Sequence, residues 1–275
     1  MRHSNGASDS SSLEVVLPRS GHFSYSVHPE TGEGLRAVVL IHGAGGRGNQ
    51  WPHQLRRLPA RRVFALDLPG HGRSGGIPQP RIEGYANELL ACIELMDLKR
   101  PTLVGHSMGA AIALTAAMLA PEAVEELVLI AAASSFPANP VLLEKLGVPA
   151  WQEQAVKMIV TWSFAKKTGN RLRQIYSADL MANAPGVLLA DFRACTQFEI
   201  DKQLKGISRP TLVLSGEEDL MVPHARSRRL AEKLMRASYK SIPGCGHMLH
   251  LEDPPAVANA ITRFLEQQAL YTNRV

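Results

Sequence analysis

The sequence predicts an α/β fold, a mostly parallel central sheet with helices on both faces. Three observations carry that prediction. Short runs of apolar, often β-branched residues recur along the chain and end in turn residues, the mark of strands buried on both faces. Stretches with helical periodicity separate those runs. The regular alternation of the two favours parallel strands joined by crossover helices.

Taken in order, Leu13–Leu17 and His22–Val27 read as two short strands joined by a glycine turn, and Pro29–Gly34 is a turn cluster. Ala37–Ile41 is the first continuous apolar run. Val63–Leu66 is the second, closed by Asp67-Leu68-Pro69-Gly70. Thr102–Val104, Leu127–Ile130 and Thr211–Leu214 follow, and Tyr239–Ile242 is a weaker sixth. Among the helical stretches, Tyr85–Met96 carries Leu89, Leu90, Ile93 and Met96 on one face. Gly109–Leu119 is small and apolar throughout and stops before Pro121. Ala225–Met235 places Leu230, Ala231 and Leu234 on one side, and Pro255–Leu265 does so with Val257, Ile261 and Leu265.

One stretch breaks the alternation. From Ser135 to Lys205 there is no buried-strand run, but Trp151, Ala155, Met158, Ile159 and Trp162 stand at helical spacing, as do Leu188, Phe192 and Cys195. Structureless loops of that length are rare in compact domains. The segment is therefore predicted as three or four helices forming a cap over the C-terminal edge of the sheet. The expected organisation is a disordered tail at 1–12, a core in two parts (13–134 and 206–275) and the cap inserted at 135–205.

A chain of 275 residues buries a sizeable core without disulfides. Its formal charge of +5 is spread over scattered pairs such as Arg56-Arg57 and Arg228-Arg229, so a solvated surface is expected rather than a nucleic-acid partner. At most this charge favours the approach of anionic substrates. Cys92, Cys195 and Cys245 are too widely spaced for a disulfide framework or a metal pattern, which suits a reducing compartment. The first twelve residues have no apolar core and do not read as a secretory signal, and no apolar run reaches bilayer length. The expectation is a cytoplasmic protein with no membrane span, metal or cofactor; oligomeric state stays open.

The chemistry concentrates at Gly105-His106-Ser107-Met108-Gly109, between a buried strand and a helix. Gly-x-Ser-x-Gly alone occurs by chance in roughly one chain of this length in ten; its context sharpens it. A serine on a tight strand-to-helix turn takes a strained backbone, and flanking glycines let the turn close. The turn lifts the hydroxyl clear of the sheet and points the Met108 N–H, at the helix start, toward the place where an acyl-transfer oxyanion develops. A second donor is expected from the loop His42-Gly43-Ala44-Gly45-Gly46, with the Ala44 N–H the choice. That loop lacks the Gly-x-Gly-x-x-Gly spacing of a dinucleotide site.

A serine needs a base, and the base an orienting acid. His247, in the Gly-rich turn Gly244-Cys245-Gly246-His247, is placed to reach back over the sheet. His42 and His71 are expected to hold loop geometry, His106 to point away from Ser107, and His224 and His250 to be structural or exposed. After the fifth apolar run, Glu217 and Glu218 compete with Asp219, which is favoured because it alone stands four residues before Pro223. The order serine, acid, histidine is a known chain order for this chemistry.

Together these residues resemble the α/β-hydrolase family over essentially the whole chain after the tail. The marks are Val-Leu-Ile-His-Gly-Ala at 39–44, Asp-Leu-Pro-Gly-His-Gly-Arg-Ser at 67–74, Val-Gly-His-Ser-Met-Gly at 104–109, Gly-Glu-Glu-Asp at 216–219 followed by Val222-Pro223, and Gly-Cys-Gly-His at 244–247. The resemblance implies Ser107 as nucleophile, Asp219 as acid, His247 as base, Ala44 and Met108 as oxyanion donors, and a helical cap that shapes the pocket. Members that cleave carbon–halogen bonds or epoxides carry an aspartate where Ser107 stands. The Gly-Gly-Ser-Trp-Gly elbow of proline-specific aminopeptidases is not matched by His106 and Met108. Members that place the acid after the preceding strand find only Ala131-Ala132-Ala133-Ser134-Ser135 here, without a carboxylate.

The expected activity is hydrolysis of carboxylic esters by a serine mechanism, on a small-molecule substrate. Trp51, Phe136, Trp151, Trp162, Phe164 and Phe192 are candidate pocket walls, each with core packing as its competing role. Three other readings stay open: a hydrolase of carbon–carbon bonds in ring-cleavage diketones, a cofactor-free haloperoxidase or perhydrolase, and a non-catalytic ligand-binding member of the fold.

Overall fold

A computed structural model describes residues 13–17, 21–32, 34–136 and 139–272. The tail expected at 1–12 lies outside the described residues.

The apolar runs form one eight-stranded sheet: β1 (Leu13–Leu17), β2 (Gly21–His28), β3 (Arg36–Ile41), β4 (Arg61–Leu66), β5 (Thr102–His106), β6 (Leu127–Ile130), β7 (Thr211–Gly216) and β8 (Ala237–Ile242). Their spatial order is β1-β2-β4-β3-β5-β6-β7-β8. β1 and β2 pair antiparallel, and β2 meets β4 antiparallel. From β4 through β8 every pairing is parallel.

The ten α-helices among the described residues are α1 (His53–Arg56), α2 (Ile82–Leu95), α3 (Met108–Leu119), α4 (Pro140–Leu146), α5 (Gln152–Ser163), α6 (Asn170–Met181), α7 (Val187–Thr196), α8 (His224–Lys233), α9 (Leu249–Glu252) and α10 (Pro254–Thr272). The two-residue period of the strands sorts the core into two layers. Val39, Ile41, Leu103, Leu127, Leu129 and Val213 face α2, α3 and α8. Val38, Leu40, Val104, Val128, Ile130, Leu212 and Leu214 face α1 and α10. Continuous apolar runs are what a strand with two buried faces demands.

The structure extends several sequence-predicted elements. α2 starts at Ile82 rather than Tyr85, because Ile82 is buried in the same layer. α10 continues past Leu265 to Thr272, where the apolar stripe that signalled it has run out. α1, one turn around the buried Leu55, is too short to leave a period in the sequence.

Between β6 and β7 the chain builds α4 to α7, four helices with an apolar core of their own around Leu142, Val156, Ile159, Phe164, Tyr176, Leu180 and Leu188. A Ser135–Glu199 bridge and a hydrogen bond from Ile200 N–H to Ser134 O (2.9 Å) close the base of this insertion. Two of its helices, α5 and α7, contain the periodic residues noted in the sequence, except Trp151, which lies in the turn just before α5. α6 is largely polar and gives only Tyr176 and Leu180 to the interior, which is why spacing did not reveal it.

Candidate active site

The loops that leave the C-terminal ends of β3, β5, β7 and β8 converge. In parallel α/β sheets this edge is where ligands bind, since the loops are free of strand pairing there. Ser107 stands between β5 and α3 with φ +53° and ψ −113°, a conformation costly for a residue with a Cβ. Its N–H is tied to the Ile130 carbonyl at 2.8 Å, and its own carbonyl receives the Ala110 N–H at 2.9 Å. The two glycines are needed for close backbone approach. A Cβ on Gly105 would lie 2.2 Å from the Gly109 carbonyl oxygen, and one on Gly109 would lie 2.1 Å from the Ile41 carbonyl oxygen. We expect Gly109→Ala to destabilise the fold by roughly 3 kcal/mol or more, since backbone rather than a mobile side chain must yield. Urea unfolding at neutral pH measures it, and a cost under about 1 kcal/mol would contradict the packing described.

His247 and Asp219 meet although 28 residues separate them. His247 Nδ1–H donates to Asp219 Oδ2 at 2.9 Å. Asp219 Oδ1 accepts the N–H groups of Met221 and Val222, each at 2.8 Å, so the turn itself aims the carboxylate. The competing acids are engaged elsewhere, Glu217 by the Ser241 hydroxyl and Glu218 by the Lys166 N–H. Ser107 and His247 line one cavity of about 240 Å³, together with Ala44. The Ser107 hydroxyl makes no hydrogen bond to a described residue in this structure. The N–H groups of Ala44 and Met108 are likewise without a partner among them. The Met108 side chain is buried in the core layer that α2 and α3 share, so only its backbone is available to the site.

The surrounding histidines differ in charge for physical reasons. The His106 ring packs 4.8 Å from that of His247 and 4.4 Å from that of His250, and its Nε2–H donates to the His247 carbonyl. Burial holds His106 far below the usual imidazole range and His250 down to about 3. His42 is also pushed down to about 3, mainly by burial and then by His71. Its Nδ1–H donates to the Gly43 carbonyl while Nε2 accepts the Leu68 N–H, the pattern of a neutral ring. His71 is the exception. Both its ring nitrogens face acceptors, the Pro69 carbonyl and Asp191 Oδ2 (2.8 Å), so both carry protons. Burial opposes that charge, but Asp191 outweighs it and raises the ring above its ordinary value.

Asp191, on α7, is the residue that sequence reasoning missed. It is fully buried and also receives the Tyr85 hydroxyl at 2.6 Å and the Gly45 N–H at 2.7 Å. Asn183 holds the Gly45 carbonyl at 2.8 Å, and Asp179 binds both Arg47 and Gln50. Residues 45–50, just beyond Ala44, are thus fastened to the inserted helices. The His247 loop is fastened too: Glu252 accepts the Gly246 and Ala165 N–H groups, and Met248 N–H donates to the Ser163 carbonyl. No spacing within the sequence announces the contacts that tie these loops to the inserted helices, made across 85 to 146 residues. Removing the charge from Asp191 leaves the His71 imidazolium buried without its partner, so Asp191→Asn should cost about 3–5 kcal/mol. A melting temperature within 3 °C of the parent's would contradict this ion pair.

Of the candidate pocket walls, Trp51, Phe136, Trp162 and Phe192 line the cavity, and Trp151 and Phe164 do not. Trp151, just before α5, is 38% exposed with the Lys145 ammonium over its ring. Phe164 is buried inside the insertion, edge-on to Tyr176. Their aromatic character made both candidate walls, but the sequence did not say which faced inward. His250, left as structural or exposed, is buried against His106, whereas His224 is exposed.

The model of the alpha/beta hydrolase family matches residues 38–260, most of the chain and every loop described above. The chain belongs to the α/β-hydrolase family. It is 30% identical to the protein named "Putative carbamate hydrolase RutD" of Rhizobium rhizogenes over 261 residues, 89% of this chain and 98% of that one. A thermophilic esterase superposes with a TM-score of 0.82 at 25% identity, covering 94% of this chain and 98% of the other. The enol-lactonase from Burkholderia xenovorans LB400 has the same fold, with a TM-score of 0.85 at 19% identity over 92% of this chain and all of that one. This α/β-hydrolase is accordingly a hydrolase. No described helix is long and apolar enough to cross a membrane, and no cluster of three or more His, Cys, Asp or Glu among the described residues could hold a metal ion.

Proposed function

We propose that this chain is a serine hydrolase that cleaves carboxylic esters through an acyl-enzyme. The observation that carries the reading is the Asp219–His247 hydrogen bond on the wall of the same cavity as a serine held at positive φ. With Nδ1 committed to Asp219, Nε2 of His247 is the basic nitrogen left for the Ser107 proton. The serine–histidine bond closes by rotation about the serine χ1 as substrate enters, a tightening usual for ligand-free sites.

Ser107 Oγ attacks the ester carbonyl as its proton passes to His247. The oxyanion is held by the N–H groups of Ala44 and Met108, and the inserted helices, acting as a cap, keep the Ala44 loop fixed for that role. The carbonyl re-forms, the C–O bond breaks, and the alkoxide leaves with the proton from His247. Water repeats the cycle at the acyl-enzyme and frees Ser107. The neutral rings of His106 and His250 place no second cation beside the imidazolium that forms.

The test is labelling by a fluorophosphonate probe with mass-spectrometric mapping, beside a panel of nitrophenyl esters from acetate to palmitate, a nitrophenyl carbamate and a coloured dienone acid. Modification of Ser107 and turnover of the esters are the expected results. Failure of the folded protein to label, or turnover of the dienone acid with little on esters, sinks the ester reading. Faster turnover of the carbamate would transfer the same chemistry to the substrate in the relatives' name.

A further inference from the structure

Among the described residues, two guanidinium groups line the cavity, Arg47 and Arg226, and no Asp or Glu does. Arg47 is neutralised by Asp179 at 2.8 Å. Arg226, on the first turn of α8, is half-buried and uses one terminal nitrogen on neutral acceptors, the Ser135 carbonyl at 3.1 Å and the Ser135 hydroxyl at 3.0 Å. Among the described residues no carboxylate lies within ion-pair distance of it. The acids on neighbouring loops are taken: Glu217 by Ser241, Glu218 by Lys166 N–H, Asp219 by His247, and Asp201 by Lys233 and Ser134. The Ser135 bonds fix the direction of the guanidinium and leave Nε and Nη1 uncommitted. A cation partly withdrawn from water and lacking a counter-ion is costly unless a ligand supplies one.

We propose that the substrate of this site carries a carboxylate that seats on Arg226, so that the ester hydrolysed is the anionic half-ester of a dicarboxylic acid or an ester with a carboxylate on its alcohol half. The inference rests on the ester reading above for the reaction but not for the binding. Guanidinium and carboxylate match as planar, charge-assisted hydrogen-bonding partners, which gives orientation as well as affinity. The ester group is then presented to Ser107 with its charged end fixed at Arg226, both residues lining the same cavity.

Two pairs of esters test it: 4-nitrophenyl hydrogen glutarate against its methyl ester, and 4-acetoxybenzoate against its methyl ester. For each pair the ratio of kcat/KM, anionic over neutral, is measured in the parent, R226Q and R226K. We expect the ratio for at least one pair to fall roughly 10- to 100-fold in R226Q and less in R226K, which keeps the charge but not the planar fork. Should R226Q fail to fold, the R226K ratio alone must still drop. In parallel, glutarate binding is followed by titration calorimetry and should weaken by a similar factor in R226Q. If both ratios and glutarate affinity are indifferent to residue 226, Arg226 merely ties α8 to the Ser135 loop and the proposal falls, whatever becomes of ester turnover. If glutarate binds through Arg226 but no ester is cleaved, the subsite stands and the ester reading falls.

Discussion

Ser107→Ala is expected to lower kcat about 10⁶-fold, some 8 kcal/mol of barrier, while the protein keeps its melting temperature within a few degrees. The size of the effect follows from the way the site is built. Serine, histidine and aspartate act as a unit, so removing the nucleophile discards nearly everything the base and acid contribute. Structural cost is small because the Ser107 side chain makes no hydrogen bond to a described residue. The strain at φ +53° belongs to the backbone and is shared by any non-glycine residue there. Steady-state kinetics on the best ester of the panel, with active-site titration to exclude trace parent enzyme, measures the loss. A fall of less than a hundredfold would show that another group carries the attack.

The second large effect is on stability in acid. His42, His106 and His250 are buried and neutral, with His42 and His250 near 3 and His106 well below its ordinary value. In the unfolded chain each takes up a proton near pH 6.5. The unfolded state therefore binds more protons between about pH 6.5 and 3, and stability falls as pH falls through that window. At pH 5 His42 and His250 each cost roughly 2 kcal/mol, about 4 together, and His106 acts in the same direction, which brings the loss near the lower end of an ordinary domain's whole stability. Two groups work in the opposite direction. His71, raised by Asp191 against its own burial, adds stability that is complete below pH 6.5. Glu126, raised chiefly by burial, is relieved as it protonates. Three histidines outweigh these two, and a loss of several kcal/mol remains. Urea unfolding at pH 7 and pH 5 reads it directly; equal midpoints at the two pH values would mean these rings are not held neutral by the fold.

Much of the fold was legible because its signals are local. Residues 37–41, 127–130 and 212–214 are apolar without interruption, and a strand buried on both faces allows little else. Gly105 and Gly109 announced a tight strand-to-helix turn. The structure supplies the reason, since α3 starts so close to β3 that a methyl group on Gly109 would meet a carbonyl oxygen. Legibility failed where the sequence has no period to show. α6 is polar over most of its surface, and Trp151 and Phe164, which flank α5 at its two ends, do not line the cavity although Trp162 does. Rotation of a helix about its axis is set by what it packs against, and that information lies outside the helix.

The sequence by itself determined the layered architecture, the strand-to-helix turn at Ser107 and the candidates for each chemical role, because propensity, alternation and turn chemistry act over a few residues. Only the tertiary structure decided that Asp219 rather than Glu217 or Glu218 meets His247. It alone decided that Asp191 locks the Ala44 loop from 146 residues away, and that Arg226 faces the cavity without a counter-ion. Hydrogen bonds and ion pairs reach only about 3 Å. Which side chains come within that reach depends on how strands and helices stack, and no stretch of sequence records that on its own.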